Sequence, residues 1–222
     1  MKAMLLAAGR GERLGALTEQ QPKPLLEVGG RPLIEHHVTA LKRAGFTDLV
    51  INLGWRGSAI REHLGDGAAF GVTIAYSAEP ENEPLETGGG IHHALPLLGA
   101  GPFAVVNSDL WCDYPLHHLR WIKTALAHLI LVANPAHHPA GDFVLREGYV
   151  AMPEDPGPTL TYAGIAVLHP ELFAGRAPGR YRLAPLLAAA ARRRQVTGSE
   201  HHGLWIDIGT PERLAAARQA AG

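Results

Sequence analysis

Lys23 stands between two prolines, Pro22 and Pro24. Proline fixes its own φ and restricts the residue before it, so this lysine lies outside any helix interior, on a stiff segment. Ten residues upstream, Gly9-Arg10-Gly11-Glu12-Arg13 ends an apolar run from Ala3 to Ala8 that reads as a buried strand. Two glycines in three residues allow a sharp turn and a close backbone approach to a ligand, which is how a loop wraps phosphates. Two carboxylates complete the set. Asp109 follows the apolar run FAVVN, and Asp207 lies in WIDIGTP. Each ends a predicted strand, the place where open α/β sheets bind ligands. Brought together there, they can hold one magnesium ion, which prefers oxygen ligands and bridges phosphate oxygens.

Two glycine motifs are excluded. The dinucleotide fingerprint needs glycine where Leu14 stands, and no glycine-lysine-serine/threonine run of the P-loop kind occurs. The pattern present is LAAG-x-G-x-R followed by P-K-P-L. It resembles the N-terminal motif of the sugar-1-phosphate nucleotidylyltransferases, which join a nucleoside triphosphate to a sugar phosphate.

That resemblance implies a single α/β domain over residues 1–222, with a Rossmann-like, mostly parallel sheet flanked by helices. Residues 1 to about 110 would hold the nucleotide, and the remainder the sugar. Arg13 and Lys23 would be catalytic: Lys23 bridging the incoming phosphate and the α-phosphate, Arg13 on the leaving β- and γ-phosphates. Nucleotide contacts would come from Ala7, Ala8, Gly9, Gly11, Glu12, Arg13, Lys23, Thr87 and Gly88. Asp109 and Asp207 match the family's Mg2+ aspartates, although Ser108 precedes Asp109 where the family usually has glycine. For the sugar, paired donors and acceptors over small residues point to Asn107, Asn134, Asp142 and the Ala163-Gly164 turn. Many members carry a second lysine in a Glu-Lys-Pro string. The matching region here, AMPEDPGPTL, has none, and Arg182 in YRLAPLL is the replacement we expect. The order of EPLETGGG, NPAHHPAGDF, TYAGIAVLHP and YRLAPLL resembles the branch that uridylylates N-acetylmuramate α-1-phosphate with UTP in bacterial cell-wall recycling. The alternatives are guanylyl or thymidylyl transfer to a neutral hexose 1-phosphate and, from another class, an inactive nucleotide-sugar sensor.

The elements must set these residues in place. Leu33, Ile34, Val38 and Leu41 recur at helical spacing up to Gly45. Strands are predicted at 48–53 and 72–77, with a helix at 58–64 between them. The next helix is predicted after the glycines of ETGGG and runs to about Leu98, before the strand 103–107. Such alternation argues for parallel pairing with helices on both faces. Further on, the sequence predicts strands at 126–134, 160–168 and 203–209, and a hairpin over 143–152 turning at Glu147-Gly148. Helices are predicted from Leu183 to Arg194 and from Pro211, where Thr210 and proline make a good N-terminus.

Composition excludes several functions. Lys+Arg 20 against Asp+Glu 21 leaves a net charge of −1, with no electrostatic footprint for nucleic acid or an anionic membrane. Cys112 is alone, which rules out an internal disulfide and an all-cysteine zinc site. The 13 histidines include five adjacent pairs but no HExxH spacing, so surface or packing roles are expected. His137-His138, in the predicted sugar segment, are the exception. No secretory signal or membrane-spanning run appears, which predicts a cytoplasmic protein.

Overall fold

The computed structural model describes residues 1–80 and 83–222. In chain order its elements are β1 (Ala3–Leu6), α1 (Ala16–Glu19), β2 (Glu27–Val28), β3 (Arg31–Pro32), α2 (Leu33–Arg43), β4 (Asp48–Leu53) and α3 (Gly57–Leu64). They continue with β5 (Thr73–Ala78), α4 (Glu86–Leu98), β6 (Phe103–Asn107), β7 (Leu110–Cys112), β8 (Ala127–Val132), β9 (Phe143–Arg146) and β10 (Tyr149–Ala151). The last are β11 (Thr159–Leu168), α5 (Ala184–Ala191), β12 (Val196–His201), β13 (Trp205–Asp207) and α6 (Pro211–Ala220).

One nine-stranded sheet, ordered β5-β4-β1-β6-β11-β8-β12-β10-β9, runs through both halves of the chain. Its first four strands pair in parallel, as the strand-helix alternation predicts. The second half is mixed, because β11 lies antiparallel between β6 and β8 while β12 pairs with β8 in parallel. Successive side chains of a strand face opposite ways. Thus Ala3 and Leu5 join the core beneath α2 and α3, while Met4 joins the core beneath α4 and α5. Both faces of the sheet are covered, the three-layer arrangement expected of parallel strands.

A third, smaller core decides how the two ends of the chain meet. Leu14, Leu26, Val28 and Leu33 from the first forty residues pack against Ile208, Leu214 and Ala217. This seam fixes α6 against the segment that carries Arg13 and Lys23. Among the described residues no helix is long and apolar enough to cross a membrane.

Two predicted helices need correction, and two strands were not predicted. α4 begins at Glu86 and takes Gly88, Gly89 and Gly90 into its first turns, where all three are buried. β7 and β12 have no counterpart in the sequence reading. α5 ends at Ala191, because Arg194 turns to φ +57 and the chain leaves for β12. The hairpin forms where predicted, with Glu147 at φ +51 and Gly148 at φ +79, the left-handed pair of a tight two-residue turn.

Candidate active site

The amino-terminal loop starts where β1 leaves the sheet. Ala7 N–H donates to Asn52 Oδ1 at 2.7 Å instead of continuing the ladder, so the strand stops at Leu6. Gly11 takes φ +68, and a Cβ on it would lie 3.1 Å from Thr18 Cγ2 and 3.3 Å from Lys23 Cβ. The loop therefore rests on the stem of Lys23, and a larger residue would push it off. A 3-10 turn at Glu12–Leu14 buries Leu14 in the third core and leaves Arg13 facing outward.

Lys23 opens a second 3-10 turn and is 8% exposed. Its Nζ lies 2.5 Å from Asp109 Oδ2. A buried ammonium without a counter-charge would be costly, so Asp109 supplies the charge that lets Lys23 lie there and fixes its position. Asp109 itself sits in the turn between β6 and β7. The preceding Ser108 is buried, and its Oγ donates to Leu6 O at 2.6 Å, tying the ends of β1 and β6 together.

Asp207 reaches the same mouth from the far end of the chain. β13 pairs antiparallel with β7, setting Asp207 opposite Leu110, and Ile208 N–H donates to Asp109 O at 2.8 Å. The two acids thus stand at neighbouring strand ends although 98 positions apart in the chain. Asp207 is held by Arg213, whose Nη1 lies 2.5 and 2.6 Å from its two oxygens. His137 Nε2 accepts from the same Nη1 at 2.6 Å. Thr210 accepts from Arg213 N–H as the cap of α6, with Pro211 in the first turn, so the helix start sets where Arg213 emerges.

Three openings converge here. The first, about 330 Å³, is lined by Ala7, Ala8, Gly9, Gly11, Lys23, Thr87 and Asp109. The second, about 590 Å³, shares Glu86, Thr87 and Asn107 with the first and adds Asp142, Tyr162 and Arg182 over an apolar floor of Phe143, Met152, Leu183 and Leu187. The third, about 460 Å³, is bounded by Arg10, Glu12, Arg13, Lys23 and Gly209. Asn107 and Thr87 therefore stand where the first two meet, and Lys23 where the first meets the third.

Four predicted site residues line none of these openings, Asp207 among them. Gly88 is buried in α4 against Tyr181, where a Cβ would lie 2.6 Å from the ring, so it permits close packing and Thr87 alone lines the cleft. Asn134 has its amide committed to the scaffold: Nδ2 donates to Thr159 Oγ1 and Pro139 O, and Oδ1 accepts from Thr161. Gly164 sits at a register shift of β11 with φ +76, and its missing side chain makes room for Asn107, whose Nδ2 would be 2.7 Å from a Cβ. Asp142 lines the second opening, its Oδ2 accepting from Tyr162 N–H at 2.8 Å and its Oδ1 lying 3.0 Å from His138 Nε2. Arg182 is exposed at its rim, 3.9 Å from Glu86.

Sequence reasoning missed three groups. Asn52 and Glu79 form a buried pair in the first opening, Asn52 Nδ2 donating to Glu79 Oε1 at 2.6 Å while Leu85 N–H donates to Glu79 Oε2 at 3.1 Å. A polar residue inside the apolar run DLVINL was the available signal. Arg213 is the third. Behind Asp109, His37 has a buried Nε2 without a partner among the described residues, and burial, outweighing the Asp109 charge, lowers its pKa to about 4. Burial also pushes Cys112 up to about 11, so it remains a thiol. Its sulfur shares a 4.8 Å cluster with Asp113 and His201, a mixed trio that composition does not exclude, but His201 Nε2 is already 2.8 Å from Asp113.

The sequence pattern of a family described as "Nucleotidyl transferase" matches residues 2–157. An "N-acetylmuramate alpha-1-phosphate uridylyltransferase" of Neisseria meningitidis serogroup B is 49% identical over 100% of this chain and 99% of its own. A protein of the same description from Caulobacter vibrioides is 33% identical, over 97% of this chain and 94% of its own. In fold, the chain is similar to the crystal structure of a putative glucose-1-phosphate thymidylyltransferase from Bacillus anthracis in complex with a sucrose. The TM-score is 0.84 at 22% identity, over 100% of this chain and 95% of the other.

Proposed function

We propose that this chain, which belongs to the nucleotidyl transferase family, joins UTP to N-acetylmuramate α-1-phosphate, giving UDP-N-acetylmuramate and pyrophosphate. The observation that supports the reaction is that Lys23 pairs with Asp109, lines one opening with Arg13 and Gly209, and has Asp207 two residues before Gly209 on the strand end beside Asp109. The sugar is supported by the two uridylyltransferase relatives, which match nearly end to end.

The sugar phosphate is already ionised near neutral pH, so its oxygen attacks the α-phosphorus without a general base. The reaction then needs positioning and neutralisation of charge. Lys23, at the junction of the first and third openings, meets the α-phosphate and the incoming phosphate. Arg13 offers its planar fork to the β- and γ-phosphates as they leave. Asp109 and Asp207 are hard oxygen donors on adjacent strand ends, each matched in the structure by an internal cation, and this donor set suits magnesium. When bound, the ion supplies charge neutralisation at the phosphate oxygens. Asn52 and Glu79 hold the floor on which the uracil would lie, and the apolar floor of the second opening suits the acetamido and lactyl methyl groups. On this reading residues 1 to about 110 hold the nucleotide and the rest the sugar, within one domain. The product's sugar, a cell-wall component, gives the protein a cytoplasmic place in cell-wall recycling.

Pyrophosphate release tests the reading. Purified protein with Mg2+ is offered UTP, GTP or dTTP and, in turn, N-acetylmuramate, N-acetylglucosamine, glucose and mannose 1-phosphates. UTP with N-acetylmuramate 1-phosphate is expected to turn over roughly a hundredfold better than the neutral hexoses. No turnover with that pair overturns the proposal, and turnover only of mannose or glucose 1-phosphate with GTP or dTTP redirects it.

A further inference from the structure

Arg213, beside Asp207, takes no part in the reaction as proposed. Arg213 is largely buried, with its side chain 16% exposed, and its Nη1 is engaged by both oxygens of Asp207 and by His137. Its other terminal nitrogen, Nη2, fills the space beside the Gly209 Cα where a side chain would stand, and Arg13 Nη2 lies 3.0 Å from that same Cβ position. Two guanidinium groups, one from each end of the chain, therefore converge on one point. Among the described residues Arg13 has no carboxylate partner to offset the repulsion. Arg13 and Gly209 line the third opening, with Arg213 directly behind Gly209, and like charges gathered at that point favour an anion.

Resting on the function proposed above, we infer that Arg213 is a phosphate ligand: it binds the triphosphate, and then the departing pyrophosphate, together with Arg13 across Gly209. Its Nη1 rests on both oxygens of Asp207. A divalent cation on those oxygens draws away electron density and repels the guanidinium, so cation binding loosens Arg213 from Asp207. The Thr210 cap fixes the backbone of α6, and the group travels by side-chain rotation alone. Its planar fork suits the paired oxygens of a diphosphate, as Arg13 does. Lys23 on Asp109 is poised for the same exchange. Each acid thus has an internal counter-ion that competes with a metal for it.

Two binding measurements on the full chain separate this from a structural role. Mn2+ binding to the free protein is followed by electron paramagnetic resonance, and pyrophosphate binding at saturating Mg2+ by calorimetry, for wild type, Arg213→Met and Arg213→Lys. Removing the competitor for Asp207 should tighten Mn2+ binding in Arg213→Met by about threefold or more, while pyrophosphate binding weakens about tenfold. Arg213→Lys keeps the charge and should fall between the two on both scales. Should Arg213→Met fail to fold, Arg213→Lys alone must still show tighter Mn2+ and weaker pyrophosphate binding than wild type. Weaker Mn2+ binding would mean that Arg213 only orients Asp207, and unchanged pyrophosphate affinity would remove it from the anion site. Either result overturns the inference. Wild-type protein that binds neither UTP nor pyrophosphate defeats the proposed function instead.

Discussion

Lys23 owes its position to four neighbours: two prolines that stiffen its backbone, Gly11 that rests on its stem, and Asp109 that holds its charge. On the proposed function, replacing it with alanine removes a contact made where charge develops, at an expected cost of about 3 kcal/mol, or roughly a hundredfold in kcat. UTP affinity should change far less, and steady-state kinetics measure both; wild-type turnover in Lys23→Ala would take the residue out of the mechanism. His37 makes a different prediction. Its folded pKa of about 4 lies below the usual 6.5, so between these values the unfolded chain takes up a proton that the folded protein refuses. Stability attributable to His37 is complete above pH 6.5 and is lost as pH falls, by at most about 3 kcal/mol. Urea midpoints at pH 7.5 and 5 should separate more in wild type than in His37→Gln. At this scale the sequence exposed residues that belong to contiguous strings, such as Lys23 in PKPL and Asp207 in WIDIGTP. Asn52, Glu79 and Arg213 stayed hidden because their meaning lies in partners 27, 27 and 6 or 76 positions away, across elements.

Among elements, β11 governs how the two clefts join. It runs antiparallel between β6 and β8, and its register shift at Gly164 opens the space in which Asn107 lies. Gly164→Ala would combine a strained positive φ with a Cβ 2.7 Å from Asn107 Nδ2. The expected loss of stability is about 1–3 kcal/mol. KM for the sugar phosphate should rise as Asn107 is displaced, and denaturant unfolding with kinetics of the folded variant checks both. Strands of strong apolar pattern, such as β4 and β6, were legible from sequence. β12 was not: VTGSEH lacks apolar alternation and is a strand because β8 offers it a parallel edge over six residues. The glycines of α4 misled for a related reason. Their helix-breaking tendency is overridden by the close approach of Gly179 and Tyr181, which only glycine permits.

For the whole molecule, the third core is what makes a site out of two distant ends. Leu214 is 1% exposed there, on the same helix as Arg213 and packed with Leu14 and Leu26. Leu214→Ala should destabilise the fold by about 2–5 kcal/mol and lower activity more than an equally destabilising change in the α5 core, because it loosens α6 at the site. Thermal melts and turnover at a temperature where both variants remain folded make that comparison. The α/β class and the parallel first half followed from strand-helix alternation, whereas this seam joins residues 14 and 214 and has no local signature. On the proposed function, Asp109 and Asp207 share one divalent cation beside the triphosphate. The most direct test of this is Mn2+ binding in the presence of a nonhydrolysable UTP analogue, followed by electron paramagnetic resonance in wild type, Asp109→Asn and Asp207→Asn. Mn2+ should bind the free protein and bind more tightly with the nucleotide analogue present, and each substitution should weaken that binding by roughly tenfold or more. Undiminished Mn2+ affinity in both folded variants would contradict the shared site.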